Sequence, residues 1–309
     1  MANPLQKVQS NIEGNYYVDT TCINCDTCRQ LAASVFKDNG SFSYVYRQPE
    51  SAQDKVAATR ALLCCPTGSI GSESKLDFTE IIDNFPIELE ENVYYCGFNS
   101  AKSFGASSYF IKDACGNWLI DSPRFQSNLV KKFEQMGGIK YIFLTHKDDV
   151  ADARKYAALF GAKRIIHQFD SQAQLDAEII LNSDLALNNS KFDFAFYDNI
   201  NDNKAILSDS DRENTFTIIY TPGHTKGHLV LLYKNKFLFT GDSLGFDSES
   251  NSLDANKEHC WYSFSEQVKS IEALLKYKFQ WILPGHGHRK KFDSIEAAHL
   301  KIKDFILKH

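Results

Sequence analysis

Apolar runs of strand length recur through the second half of this chain, and each stops at a side chain able to bind a cation. Tyr141-Ile-Phe-Leu144 gives way to Thr145 and His146, followed by Asp148, Asp149 and Asp152. Phe216-Thr-Ile-Ile-Tyr220 runs into Thr-Pro-Gly-His224, where Pro-Gly predicts a tight turn that presents the histidine from its apex. Two further runs flank a Lys-Asn-Lys turn at 234–236, and the second of them ends at Gly241-Asp242. Trp281-Ile-Leu then ends in Pro-Gly-His286, which repeats the device. Carboxylates and imidazoles gathered at buried strand ends are costly unless a cation holds them. Taken alone, the aspartates after His146 fit a helix N-terminus equally well, where carboxylates meet free amides and the positive end of the dipole.

The segments between these runs predict an alternating architecture. Periodicity predicts helices over 124–136 and 150–160, and a strand over 163–167 that ends in His167. Strand, helix, strand in this order predicts a parallel crossover, whose ligand crevice lies beyond the carboxyl ends of the strands; His146 and His167 then share a rim. Upstream, strands are predicted within 93–98 and 107–113, with a hairpin turn at 114–117 leading to 118–123. Residues 169–204 are polar and carry only weak strand signals. Residues 71–91 are polar and acidic and include Pro86, which predicts a linker over 81–91 between a small domain at 1–80 and a larger one at 92–309.

The small domain is defined by cysteines. Cys22, Cys25 and Cys28 are two residues apart on one loop, and Cys65 is followed directly by Pro66. A helix over 29–36, a strand over 41–46 and a helix over 53–63 fill the interval. Four such thiolates suit an iron-sulfur cluster, although the ligand count also permits zinc. Cys64 alternates to the other side of the chain and is read as a packing residue. From Tyr16 to Ile70 the sequence resembles a single-cluster bacterial-type ferredoxin, down to the Pro-Thr-Gly-Ser-Ile after the last cysteine. That resemblance implies an α+β ferredoxin-like fold and a 4Fe-4S cluster bound by Cys22, Cys25, Cys28 and Cys65.

The larger domain, with Leu-Thr-His at 144–146, TPGHTKGH, FTGDS and LPGHG in order, resembles the metallo-β-lactamase fold superfamily. The resemblance implies an αββα four-layer sandwich with two metal ions at one edge. It implies His146, Asp148 and His224 on one ion, Asp152 and His286 on the other, and Asp242 bridging, with Asp152 also at the catalytic centre. The usual second histidine of the first motif is replaced by Asp148, and the usual Asp-His pair becomes Asp152-Ala153, which requires a two-residue insertion. Asp149 competes with Asp152 for that slot. His167 is either a compensating ligand or a hydrogen-bonding rim residue. His228, His259 and His288 have no required slot, and Trp261 and Tyr262 are candidates for the pocket mouth.

Charge and composition narrow the function. A net charge of -5 leaves no electrostatic footprint for nucleic acid or an anionic membrane. No apolar run approaches membrane-spanning length, the N-terminus lacks a signal-peptide core, and the clustered cysteines suit metal ligation in a reducing compartment. These features predict a cytoplasmic protein, or a stromal one in a plastid-bearing cell. The carboxylate-rich ligand set favours iron or manganese over zinc, and its similarity to the flavodiiron branch of the superfamily implies iron over zinc or manganese. The expectation is therefore an iron-sulfur-linked oxidoreductase with a di-iron or mononuclear iron site, fed through the cluster by a redox partner protein and acting on a small-molecule oxidant. The alternative is a metal-dependent hydrolase of a thioester, lactone or similar ester.

Overall fold

The structure is a computed structural model that describes residues 2–181, 192–193 and 216–309. The part of the 169–204 stretch beyond Leu181, apart from residues 192–193, lies outside the described residues. The chain forms two compact units: one of Met1–Lys112, Asn117–Lys140 and Val150–Ala162, the other of Asp113–Gly116, Tyr141–Asp149 and Lys163–His309.

In the first unit, β1 (Tyr16–Val18) pairs antiparallel with β4 (Ile70–Ser72), and β2 (Phe36–Asp38) with β3 (Ser43–Val45). Helices α1 (Thr27–Leu31) and α2 (Ala52–Cys64) lie between them in sequence. The N-cap Ser51 hydroxyl accepts from the Asp54 amide, which satisfies one of the free donors of α2. The predicted first helix is shorter than its pattern, because Val35 and Phe36 are wholly buried and Phe36 pairs with Val45 across a hairpin closed at Asn39-Gly40. Val18, Val35, Phe36, Val45, Ala58 and Ile70 form the core of this part.

The same unit continues through α3 (Thr79–Asp83) into an antiparallel series, β5 (Ile87–Glu90), β6 (Val93–Tyr95), β7 (Tyr109–Ile111) and β8 (Trp118–Ile120). The stretch predicted as linker thus contains a strand. Composition disguised it because β5 ends its sheet and none of its residues is fully buried, so it tolerates Glu88 and Glu90. It turns into β6 through Glu91 and Asn92, both at positive φ, as a two-residue hairpin requires. Helices α4 (Ser127–Gln135) and α5 (Ala153–Phe160) complete the unit. Phe133 of α4 stacks on Phe110 with ring centroids 4.6 Å apart, and its edge meets Tyr156 of α5.

The second unit contains the parallel strands β9 (Tyr141–Phe143), β10 (Lys163–His167) and β11 (Ile179–Leu181). It also contains a six-stranded sheet. Its order is β12 (Phe192–Asp193), β13 (Phe216–Tyr220), β14 (Leu229–Tyr233), β15 (Phe237–Gly241), β18 (Trp281–Pro284) and β19 (Lys290–Lys291). The hairpin of β16 (Gly245–Asp247) and β17 (Ser252–Asp254) follows β15. Val230, Leu232, Leu238 and Ile282 of the larger sheet bury against Ile271 of α6 (Phe264–Ala273) and Ile302 and Phe305 of α7 (Ile295–Ile306). Among the described residues, no helix is long and apolar enough to cross a membrane.

Strand β10 ends in a buried histidine. His167 stacks on Tyr220 with centroids 4.7 Å apart, and its Nδ1 accepts from the Phe169 amide at 3.3 Å, which fixes the neutral ring with its proton on Nε2. Burial pushes its pKa down to about 4. The unfolded chain, with an ordinary histidine, then binds the extra proton first, so this stability contribution is present above the unfolded pKa and is lost as pH falls toward 4. Chemical denaturation from about pH 7 to about pH 5 is expected to show a loss of about 2 kcal/mol from this residue. A His167→Phe variant, which retains stacking, is expected to flatten the profile by that amount; parallel profiles would refute the assignment.

Candidate metal centre

The strand ends of the second unit converge. Strand β9 delivers His146, the turn after β13 delivers His224, β15 delivers Asp242 and β18 delivers His286. Asp242 Oδ2 lies 3.5 Å from His146 Nε2 and 3.7 Å from the Nε2 atoms of both His224 and His286. Asp148 Oδ2 is 3.8 Å from His146 Nε2 and 3.7 Å from His224 Nε2. Two donor groups result, each with ligand atoms within 4.8 Å of one another: His146, His224 and Asp242, and Asp149, Asp242 and His286.

These distances are too long for good hydrogen bonds and suit atoms that share a cation between them. His224 Nε2, Asp148 Oδ2 and Asp242 Oδ1 are all buried without a hydrogen-bond partner, a costly arrangement that a bound ion relieves. The donor set therefore fits two metal ions. Burial alone would raise the pKa of Asp242, but His286, His146 and His224 outweigh it and hold the carboxyl far below its usual range. Burial likewise opposes ionisation of Asp148, and His224, His146 and Lys147 together bring its pKa below the ordinary value.

Asp152, which the resemblance assigns to the second ion, is engaged elsewhere. Its carboxylate accepts from Lys102 Nζ at 2.8 Å and the Phe125 amide at 2.9 Å, with Lys155 Nζ at 3.2 Å. The chain turns into α5 immediately before it, with the Ala153 amide bonded to the Val150 carbonyl. The converging carboxylate is instead Asp149, the competing candidate. His167 belongs to neither donor group, and Ala153 is buried in the first turn of α5.

Glycine makes the convergence sterically possible. A Cβ on Gly285 would lie 2.5 Å from Asp242 Oδ1 and 2.8 Å from Asp149 Oδ2. On Gly241, at φ +48°, it would lie 2.5 Å from Thr145 Oγ1. Backbone bonds register the loops: Gly285 N donates to Gly241 O, Leu229 N to Thr145 O and Trp261 N to His224 O, at 2.8, 2.7 and 2.8 Å. The His146 Nδ1 atom pairs with Thr145 Oγ1 at 2.9 Å, which orients its Nε2 toward Asp242.

One residue of this assembly carries no motif. Asp170 is buried and accepts from Thr225 Oγ1 at 2.5 Å and from the Lys147 and Gly227 amides at 3.2 Å each. It joins the loop carrying His146 and Asp148 to the loop carrying His224. Its only local signal is a polar residue soon after a strand end, which is common in any turn. His228 is also buried here, with Nδ1 2.9 Å from Thr221 Oγ1; burial holds its pKa well below the ordinary value.

In the first unit, Cys22, Cys25, Cys28 and Cys65 line one cavity together with Ile23 and Pro66, and none of the four is in a disulfide. Burial pushes the Cys28 thiol well above its ordinary range, and Cys25 and Cys65 beside it add to the effect. Burial raises the Cys25 thiol as well, and four sulfurs around one cavity fit a cluster whose iron compensates the thiolate charge. The Asn24 amide donates to Cys22 Sγ at 3.4 Å and the Ser69 amide to Cys65 Sγ at 3.3 Å.

The family model for the 4Fe-4S single cluster domain of Ferredoxin I matches residues 18–72. A Beta-lactamase-like protein 2 homolog of Drosophila melanogaster is 35% identical over 71 residues, covering 23% of this chain and 21% of that protein, so the match spans about a fifth of the relative's length. An archaeal metallo-β-lactamase superfamily protein from Sulfolobus tokodaii is 18% identical, with 71% of this chain and 88% of that one covered at a TM-score of 0.44. TTHA1623, solved in a di-iron-bound form, is 18% identical, with 70% and 98% covered at a TM-score of 0.42. The protein thus carries a 4Fe-4S ferredoxin-type domain at residues 18–72, and most of its mixed α/β chain has structural neighbours of the metallo-β-lactamase fold.

Proposed function

We propose that this protein is an iron-sulfur-linked oxidoreductase: electrons enter through the 4Fe-4S cluster and serve a di-iron site that reduces a small-molecule oxidant such as oxygen. The observation that carries this is the donor chemistry of the metal centre, three histidines with three carboxylates, in a chain that also holds a cluster cradle. Carboxylate oxygens favour harder ions than an all-histidine set does. Hydrolysis has no use for single electrons.

His146, His224, Asp148 and Asp242 would hold one ion, and Asp149, Asp242 and His286 the other. Bound iron would supply one-electron chemistry toward the oxidant. The chain's own part is to hold these donors rigidly. Asp170 ties two of the ligand loops together, and Thr145 holds the ring of His146 in place through its Nδ1. Trp261, exposed beside His224 with ring centroids 6.4 Å apart, stands where a substrate would approach.

Metal analysis after anaerobic purification is expected to find iron beyond that of the cluster. An Asp149→Ala variant is expected to lose at least about tenfold in affinity for it, while Asp152→Ala keeps it, because the Asp152 carboxylate is held by lysines. Equal loss in both variants would overturn the ligand assignment. Zinc filling the centre in place of iron would overturn the di-iron reading.

Oxygen consumption driven by a chemical reductant is expected to collapse in Cys65→Ser if the cluster relays electrons. Unchanged turnover, or ester cleavage that survives cluster loss and disappears in His224→Ala, would move the assignment to a metal-dependent hydrolase with a structural cluster.

A further inference from the structure

The cluster cradle is closed by residues that lie outside the cysteine-bearing segment. Within the first unit, the loop after β6 covers Cys25. Gly105, at φ +86°, approaches so closely that a Cβ there would lie 2.8 Å from Cys25 Sγ and 3.2 Å from Pro66 Cγ. Its carbonyl accepts from Asn99 Nδ2 at 2.7 Å and from Thr27 Oγ1 at 3.2 Å. Thr27 Oγ1 also lies 3.4 Å from Cys25 Sγ and accepts from Asn99 Nδ2 at 3.3 Å. The Tyr95 hydroxyl donates to Asn99 Oδ1 at 2.6 Å, which fixes the orientation of the amide. Thr27 has a single hydroxyl proton and two acceptors for it. Because Asn99 already satisfies the Gly105 carbonyl, that proton is available to a Cys25 thiolate.

On another side of the cradle, Arg124 reaches the end of α2. Its Nη2 donates to the Leu63 carbonyl at 2.5 Å and its Nη1 approaches the Cys65 carbonyl at 3.5 Å. The guanidinium lies over the Phe98 ring, 5.8 Å from its centroid, and the Arg124 amide donates to the Phe98 carbonyl at 3.0 Å. A cation suits a helix C-terminus, where the last carbonyls have no partner within the helix. Arg124 therefore has a structural role. It also places a permanent positive charge against the main chain of the fourth cluster ligand.

Reduction of a 4Fe-4S cluster by one electron adds one negative charge, with no bond made or broken. Positive charge nearby and hydrogen bonds to the ligand sulfurs stabilise that charge and raise the potential. We propose that Arg124 and Asn99 set the reduction potential of the cluster from outside residues 18–72. Arg124 does so by its charge beside Cys65, and Asn99 by leaving the Thr27 hydroxyl to Cys25. The cluster is then tuned by the body of the first unit and is not a self-contained carrier module. This holds whichever reaction the metal centre performs.

Redox titration of the full-length, cluster-loaded protein with dithionite, followed by electron paramagnetic resonance and visible absorption, tests it. Arg124→Gln retains amide donors for Leu63 but loses the charge, and is expected to titrate at a more negative potential; Arg124→Lys is expected to stay near wild type. Asn99→Ala is expected to shift negative independently, as the Thr27 proton turns to Gly105. Thermal denaturation of the same samples separates scaffold from tuning. Wild-type potentials in Arg124→Gln and Asn99→Ala, whatever their melting temperatures, would overturn the proposal. Should Arg124→Gln fail to hold a cluster, the Asn99→Ala titration decides alone, and an unchanged potential there overturns it.

Discussion

A largely buried carboxylate facing three imidazoles at 3.5–3.7 Å governs the second unit. Asp242 has to be ionised to hold a metal, yet it sits where ionisation is expensive without one. Each ligand-bearing strand must therefore end at the same place, and each turn must let the backbone pass without a side chain in the way. The Pro-Gly-His turns and Gly241 meet that demand. Gly285 shows its strictness, since even a methyl group there would fall within 2.5 Å of Asp242 Oδ1. Backbone bonds between the loops and the buried carboxylate of Asp170 then keep the donors from drifting apart.

The cysteine segment meets a related constraint at smaller scale. Its core is a handful of aliphatic residues with Tyr16, Phe36 and two of the cysteines, too little for a free-standing domain of this length to be comfortably stable. Cluster binding and shared packing offset that shortfall. The segment folds in one unit with β5–β8, and Asn99, Gly105 and Arg124 close over its ligands. The cysteines provide coordination, and the neighbouring loop provides the polar surroundings that coordination responds to.

Much of the candidate metal centre was legible because its signals are local. An apolar run followed by a histidine or by Gly-Asp encodes both the strand and what the strand presents, so His146, His224, Asp242 and His286 are read without knowing their neighbours, and Asp148 enters through the family resemblance. The choice between Asp149 and Asp152 was not local. It depends on where α5 begins and on Lys102, Lys155 and the Phe125 amide, which come from three separate stretches of chain. Strand β5 was hidden for a different reason: its Ile-Glu-Leu-Glu alternation spans only four residues inside an acidic stretch, so composition outweighed it.

By itself, the sequence marked four cysteines as candidate cluster ligands, the strand ends around the candidate metal centre, and a donor set rich in carboxylate. Those readings rest on short-range spacing and periodicity and on the resemblances that the motifs carry. Only the tertiary structure decided which aspartate joins His286, that Asp170 braces the ligand loops, and that the cysteine segment is built into a larger unit. Each of these depends on where a charged or polar group finds its partner, and such partners are chosen by distance in space between residues far apart in the chain.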